Sequence, residues 1–260
     1  RFHLLHHRFH LRIEIDNLDA YDIARDMITK GMVHEISFMD HSPGQGQYRD
    51  LSIYRKTLAK YQGCEIEEFD FDGFLEREKG KETLSFEQLQ ALCRMAHEHG
   101  IAVASHDDDT QEKLQLNREI GVDISEFPIT VEVAKQANAM GFFTVVGAPN
   151  ILRGGSHSGN MSAAEAIREG CGDILCSDYY PPAILHGIFM MHQKYGIPLP
   201  EMVNKASLNP AKAVGLGKEY GSIEPGKKAD LLIIELLDGY PVITHVLVDG
   251  RTTSRVEYRR

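Results

Sequence analysis

The chain has 260 residues, 42% of them hydrophobic and 25% charged, the balance of an ordinary globular fold and far from that of a disordered or collagen-like chain. Thirty-eight acidic against 28 basic side chains leave a net charge of -10, so the surface repels nucleic acid and anionic lipid, and neither is expected as a partner. No run approaches the roughly 18 apolar residues of a membrane span, and the expected location is the cytoplasm.

Cys64, Cys93, Cys171 and Cys176 form no C-x-x-C pair; Cys93 and Cys176 fall on apolar faces, and all four are read as reduced structural residues. The first residue is Arg1, directly in strand-like sequence, so further chain is expected upstream.

In chain order, strands are predicted over residues 10–14 and 33–39, the second running into Asp40 and His41. Residues 42–83 form a long charged insertion, helical in part and a candidate lid. Ser85 with Gln88 is a capping box opening a helix with an apolar stripe through Leu89, Leu92, Cys93 and Ala96. A strand over 101–105 follows and ends in His106 and three aspartates. Another strand is expected over 122–127, and Thr130 caps a helix through Met140. The strand at 142–146 ends in Gly147. Ser162 and Glu165 form a further capping box, and the strand at 173–178 turns polar at Ser177 and Asp178.

Strands alternating with helices of about ten to fifteen residues predict right-handed βαβ units and a parallel sheet. Each strand ends in polar, reactive side chains, the pattern of a TIM-type (β/α)8 barrel, whose chemistry sits at the carboxyl ends of its strands. About six barrel strands are present, so the barrel is partial as given. The tail from Gly221 reads as turn-strand-turn-strand, an antiparallel appendage. The expected division is a barrel over residues 1–215 and part of a small β domain over 216–260.

Position decides among the 13 histidines. His41, His106 and Asp178 end three strands and Glu14 a fourth. A barrel mouth would bring these four within reach of a common divalent cation, and imidazole with carboxylate suits Zn, Mn or Fe. His97 and His99, in the last turn of a helix, are read as meeting its dipole. His3, His6, His7 and His10 are read as packing or solvent residues. The segment 153–160 joins permissive glycines to the donors Arg153, Ser156, His157, Ser158 and Asn160, a loop suited to an anion such as phosphate. Residues 40–47 form a similar loop poorer in charge. Pro181 and Pro182 open a helix and rigidify the turn that presents Asp178, here assigned as general base.

The runs at 10–14, 38–47, 104–108, 126–128, 147–150, 153–160, 177–181 and 209–211 resemble the phosphonate-metabolism subgroup of the amidohydrolase superfamily. Those at 153–160 and 177–181 are particular to the subgroup. The resemblance extends from end to end of the chain. It implies a metal-dependent diphosphatase that cleaves the triphosphate of a ribosyl alkylphosphonate to the 5-phosphate and releases pyrophosphate, within the C–P lyase pathway. By the same resemblance Glu14 matches the bridging carboxylate, His41 and His106 the metal-binding imidazoles, and Asp178 the aspartate that ligates metal and handles the proton. One or two divalent ions, zinc first, are implied, as is an upstream small-domain segment with two further barrel strands.

Under that reading Arg153 and His157 stabilise charge developing on phosphoryl oxygens. A cyclic amidohydrolase or deaminase attacking a C–N bond is the alternative enzyme, because fold does not fix substrate. A non-catalytic remnant or scaffold subunit is the other. Apolar faces left open by a partial barrel predict a homo-oligomer, a dimer first.

Overall fold

A computed structural model of the chain describes residues 4–258 apart from 79 and 156–159. Six parallel strands lie side by side in sequence order: β1 (His10–Glu14), β2 (Glu35–Met39), β3 (Ala102–His106), β4 (Ile124–Glu126), β5 (Phe143–Gly147) and β6 (Ile174–Cys176). A doubly wound sheet reverses its strand order partway across; this one never does, which is the order of a barrel wall. Pairing climbs from strand to strand, with Glu35 opposite Ala102, Ala104 opposite Ile124 and Val145 opposite Ile174.

Helices connect the strands: α1 (Ala20–Thr29), α2 (Leu51–Gln62), α3 (Phe71–Glu78), α4 (Phe86–Glu98), α5 (Gln111–Ile120), α6 (Val131–Ala139), α7 (Ala148–Arg153) and α8 (Ala163–Arg168). The helix starts follow from local chemistry. Ser85 accepts from the Gln88 amide while the Gln88 side chain accepts from the Ser85 amide, the reciprocal box read in the sequence. Thr110, Thr130 and Ser162 cap α5, α6 and α8 in the same way through one hydroxyl each.

Alternation along the strands separates two faces. Ile13, Ile36 and Val103 pack with Ala24 and Ile28 of α1 and Leu92 and Ala96 of α4 in one buried layer. Ala102, Ala104, Ile124, Val145 and Ile174 make a smaller cluster on the opposite, inner face. His10, Arg12 and Glu14 alternate with Leu11 and Ile13, so they belong to the inner face too. This wall therefore lines the interior with polar groups at β1 and β2 and with apolar ones toward β6.

After β6 come α9 (Ala183–Tyr195), α10 (Leu199–Ala206) and α11 (Leu208–Ala213), then an antiparallel sheet of β7 (Leu231–Leu237), β8 (Tyr240–Val248) and β9 (Arg251–Arg255). The sequence reading had two strands here. The third exists because Asp249 and Gly250 repeat the left-handed pair of Asp238 and Gly239, with φ of 48° and 74° against 50° and 85°. Two consecutive positive φ values make the tight turn that matches strand twist. A second difference lies after β5, where α7 stands in place of a plain loop, so Arg153 occupies the last turn of a short helix. The insertion over 42–83 is helical in part, as expected: α2, α3 and a single 3-10 turn, Gly46–Tyr48. Its own small core is aromatic, with the Tyr54 ring 4.1 Å from Tyr48 and 5.8 Å from Phe74.

Candidate functional site

The strand ends collect donors around two imidazoles. His41, two residues beyond β2, places Nδ1 3.0 Å from Glu14 Oε1 at the end of β1. His106 closes β3, with Nδ1 3.4 Å from Glu126 Oε2 at the end of β4. An ionised carboxylate only accepts, so each imidazole donates through Nδ1–H and turns a lone pair on Nε2 outward. The two rings lie 6.0 Å apart and nearly perpendicular, and Phe127 packs edge-on against His106.

Asp107, the next residue, stands in the left-handed region at φ 54° and is 5% exposed. Its amide donates to the Glu126 carbonyl at 2.9 Å. Asp108, fully buried, anchors the turn: its carboxylate accepts from Ser105 Oγ at 2.6 Å, from Ser125 Oγ at 2.5 Å and from Asn117 Nδ2 at 2.7 Å. Burial pushes both carboxyls up, and for Asp107 the neighbouring His106 and His41 oppose that shift. The loop after β2 presses on the same turn. A Cβ on Gly46 would come 2.8 Å from Asp107 Cβ, so only glycine allows this approach.

Two buried polar atoms here have no hydrogen-bond partner: His41 Nε2 and Asp107 Oδ2. Orphans of this kind are costly unless something fills the space between them. His41, His106 and Asp107 each offer a ligand atom within 4.8 Å of the others. A divalent cation with nitrogen and oxygen ligands fits that donor set.

A second group lies on the inner face. His10, Glu35 and Glu126 also bring ligand-type atoms within 4.8 Å of one another. His10 Nε2 is 2.9 Å from Ser37 Oγ, and its Nδ1 is 3.9 Å from Glu35. Burial, then the neighbouring Glu126, raises Glu35 to about 7, while burial lowers His10. His10 is thus an interior residue of a polar cluster rather than a surface one.

A cavity of about 460 Å3 opens beside the imidazoles and is lined by His106, Asp107, Arg12, Asn150, Arg153, Asn160 and Asp178, with Tyr61 of α2 and Tyr179 at its edge. Asn150 holds the rim together, accepting from the Ala163 amide at 2.9 Å and donating to the Met161 carbonyl at 3.2 Å.

Of the residues singled out in the sequence, Glu14, His41 and His106 are brought together, with Glu14 bonded to His41. Asp178 is exposed at φ 49° and lines the cavity, outside both donor groups found among the described residues. Arg153 and Asn160 line the same cavity, and Ser156, His157 and Ser158 lie outside the described residues. His97 does more than meet a dipole: its Nε2 donates to Asp123 Oδ2 at 2.8 Å, tying α4 to the chain entering β4. His99 Nδ1 lies 2.9 Å from the Met95 carbonyl of its own helix, and His3 lies outside the described residues. Sequence reasoning missed Asp107, Glu126 and Arg12. Arg12 alternates with Glu14 and could have been placed inward by period alone; Asp107 carried no signal beyond its place after His106.

Histidines and carboxylates gathered at the carboxyl ends of parallel, consecutively ordered strands define a (β/α)-barrel protein whose chemistry sits at that rim. The amidohydrolase family model matches residues 77–253, and the chain belongs to that family. Over 94% of its length it is 36% identical to the α-D-ribose 1-methylphosphonate 5-triphosphate diphosphatase of Escherichia coli (strain K12). The chain spans 65% of that relative's length. Among solved structures, a prolidase in complex with N-methylphosphonate-L-proline superposes with a TM-score of 0.57 at 17% identity, covering 91% of this chain and 58% of its own. An amidohydrolase from Thermotoga maritima MSB8 gives 0.50 at 20%, covering 91% and 56%. These two likenesses speak for the fold alone.

Proposed function

We propose that this protein is a metal-dependent diphosphatase, which cleaves the triphosphate of a ribosyl alkylphosphonate to the 5-phosphate and pyrophosphate in phosphonate breakdown. The single observation that supports this most is the meeting, in one cavity, of a cation-type donor set with the anion-type side chains Arg153 and Asn160. The 36% identity to the diphosphatase supports the substrate class. Zinc is the ion proposed first, given imidazole and carboxylate donors without sulfur. The four unpaired cysteines suit a reducing compartment, and the cytoplasm is the proposed location.

A bound divalent ion would supply the acidification of a water and the polarisation of phosphoryl oxygens. The chain's own residues do the rest. His41 and His106, oriented through their Nδ1 atoms by Glu14 and Glu126, would hold the ion. Asp178, which lines the same cavity, takes the proton of the attacking water. Arg153 and Asn160 receive the phosphate oxygens as charge develops on them. Arg12 adds a second guanidinium to the same cavity.

Phosphorus NMR of the zinc-supplied protein with a ribosyl alkylphosphonate 5-triphosphate tests the reading. Pyrophosphate and the 5-phosphate are the expected products; hydrolysis of a cyclic amide with the triphosphate left intact would replace the proposal by the C–N alternative. Asp178→Asn is expected to lower kcat by at least about 100-fold, the scale of lost acid–base catalysis.

A further inference from the structure

We propose that Arg12 recognises the phosphonate end of the substrate and distinguishes a ribosyl alkylphosphonate triphosphate from a sugar triphosphate without that group. This deepens the diphosphatase reading above and rests on it.

Arg12 is a cation without a counter-ion on the inner face of a barrel wall. It stands in the middle of β1, is exposed, and lines the cavity. Three glutamates stand on the same strands of the wall, yet each is engaged by an imidazole: Glu14 by His41 at 3.0 Å, Glu126 by His106 at 3.4 Å and Glu35 by His10 at 3.9 Å. Among the described residues Arg12 has no hydrogen-bond or ion-pair partner, and neither has Arg153. A guanidinium carries five fixed donors and cannot shed its charge, so two that are free in one cavity mark it as a place for two anionic groups.

Their order along the wall relates them to the substrate. Arg12 lies on β1, His41 and His106 follow β2 and close β3, and Arg153 sits in α7 beyond β5. In strand order the imidazoles therefore stand between the guanidiniums, whose strands are about 19 Å apart along the wall at about 4.8 Å per strand. The proposed substrate runs in the same order: phosphonate, sugar, the phosphoryl group that is attacked, and the leaving pyrophosphate. The attacked group has to lie by His41 and His106, which leaves one end of the substrate for each arginine.

Charge and shape decide which arginine takes which end. Pyrophosphate carries several negative charges and gains more on leaving, which suits the side where Asn160 joins Arg153. An alkylphosphonate esterified to the sugar keeps one negative charge shared by two oxygens, and those oxygens match the paired N–H groups of a single guanidinium. Its carbon–phosphorus bond survives the reaction, and a guanidinium binds it without offering a group that could break it.

Steady-state kinetics of the zinc-supplied chain on two substrates tests this: ribose 1-methylphosphonate 5-triphosphate, and ribose 5-triphosphate, in which a hydroxyl replaces the phosphonate. Wild type is expected to favour the first in kcat/KM, and Arg12→Ala to cut that preference about 10- to 100-fold, the scale of lost charge-assisted hydrogen bonds, chiefly through KM. Arg12→Lys keeps the charge but not the fork and is expected to recover only part of it. Arg12→Gln, which keeps most of the stem, reads the same loss if Arg12→Ala fails to fold. Arg153→Ala is expected to slow both substrates in the same proportion. Titration calorimetry with the two 5-phosphate products reads the contrast without turnover: Arg12→Ala should weaken the phosphonate-bearing product about 10- to 100-fold, towards the affinity of ribose 5-phosphate. No preference in wild type, a preference unchanged in Arg12→Ala, or equal losses on both substrates would overturn the assignment and leave the diphosphatase reading standing. Loss of the preference in Arg153→Ala instead would do the same. A wild type that cleaves neither triphosphate defeats the diphosphatase reading, and this assignment with it.

Discussion

Asp108 shows how a residue without a chemical role can decide where chemistry occurs. Its buried carboxylate gathers Ser105, Ser125 and Asn117, so the chain leaves β3 along a path that keeps Asp107 close to the imidazoles of His41 and His106. Asp108→Ala strands three donors in the interior and is expected to destabilise the fold by about 3 kcal/mol or more, read by denaturant unfolding. Glu35 works in the other direction. Its carboxyl is raised to about 7 in the folded chain from an ordinary 4.5, so the native state holds this proton more tightly than the unfolded state. Its contribution is present below about pH 4.5 and lost as pH rises through 7, by at most about 3 kcal/mol. Glu35→Gln is expected to remove that decline; identical slopes for both proteins between pH 5 and 7.5 would contradict it.

At the scale of elements, the loops after β2 and β3 form one unit. Gly46 sits at φ 49° against Asp107, so Gly46→Ala forces the loops apart. A cost of about 1–3 kcal/mol in stability is expected, together with weaker zinc binding. Retained affinity would mean that the loops do not jointly position the donors. The strands, most helix starts and the rim histidines were legible in the sequence, because period, caps and polar strand ends are local signals: Ser85 with Gln88, Thr130, and His106 after an apolar run. Asp107 and Glu126 were not legible as a pair. Their relation depends on a left-handed turn, a glycine some sixty positions earlier in the chain, and a strand beyond it. Asp178 follows β6 closely, as read, but nothing local in the sequence told that it stands exposed at the cavity. The final strand β9 was legible in principle, since Asp249 and Gly250 repeat the turn pair of Asp238 and Gly239.

In the whole molecule, the barrel wall has two ends. Among the described residues β1 pairs only with β2 and β6 only with β5, and the exposed Leu4, Leu5 and Phe9 lie beside β1. Open strand edges with apolar neighbours favour association. Sedimentation of this chain is expected to show a dimer or larger species; a monomer across a wide concentration range would contradict it. A polar column runs from His10 through Glu35 and Glu126 to His106, joining the interior of the wall to the rim.

The central claim is that His41 and His106 would hold a divalent cation. An anomalous difference map from crystals of the zinc-loaded chain tests it most directly. The account predicts one dominant peak beside His41 and His106; a peak at His10, Glu35 and Glu126 instead, or zinc bound away from both groups, would contradict it.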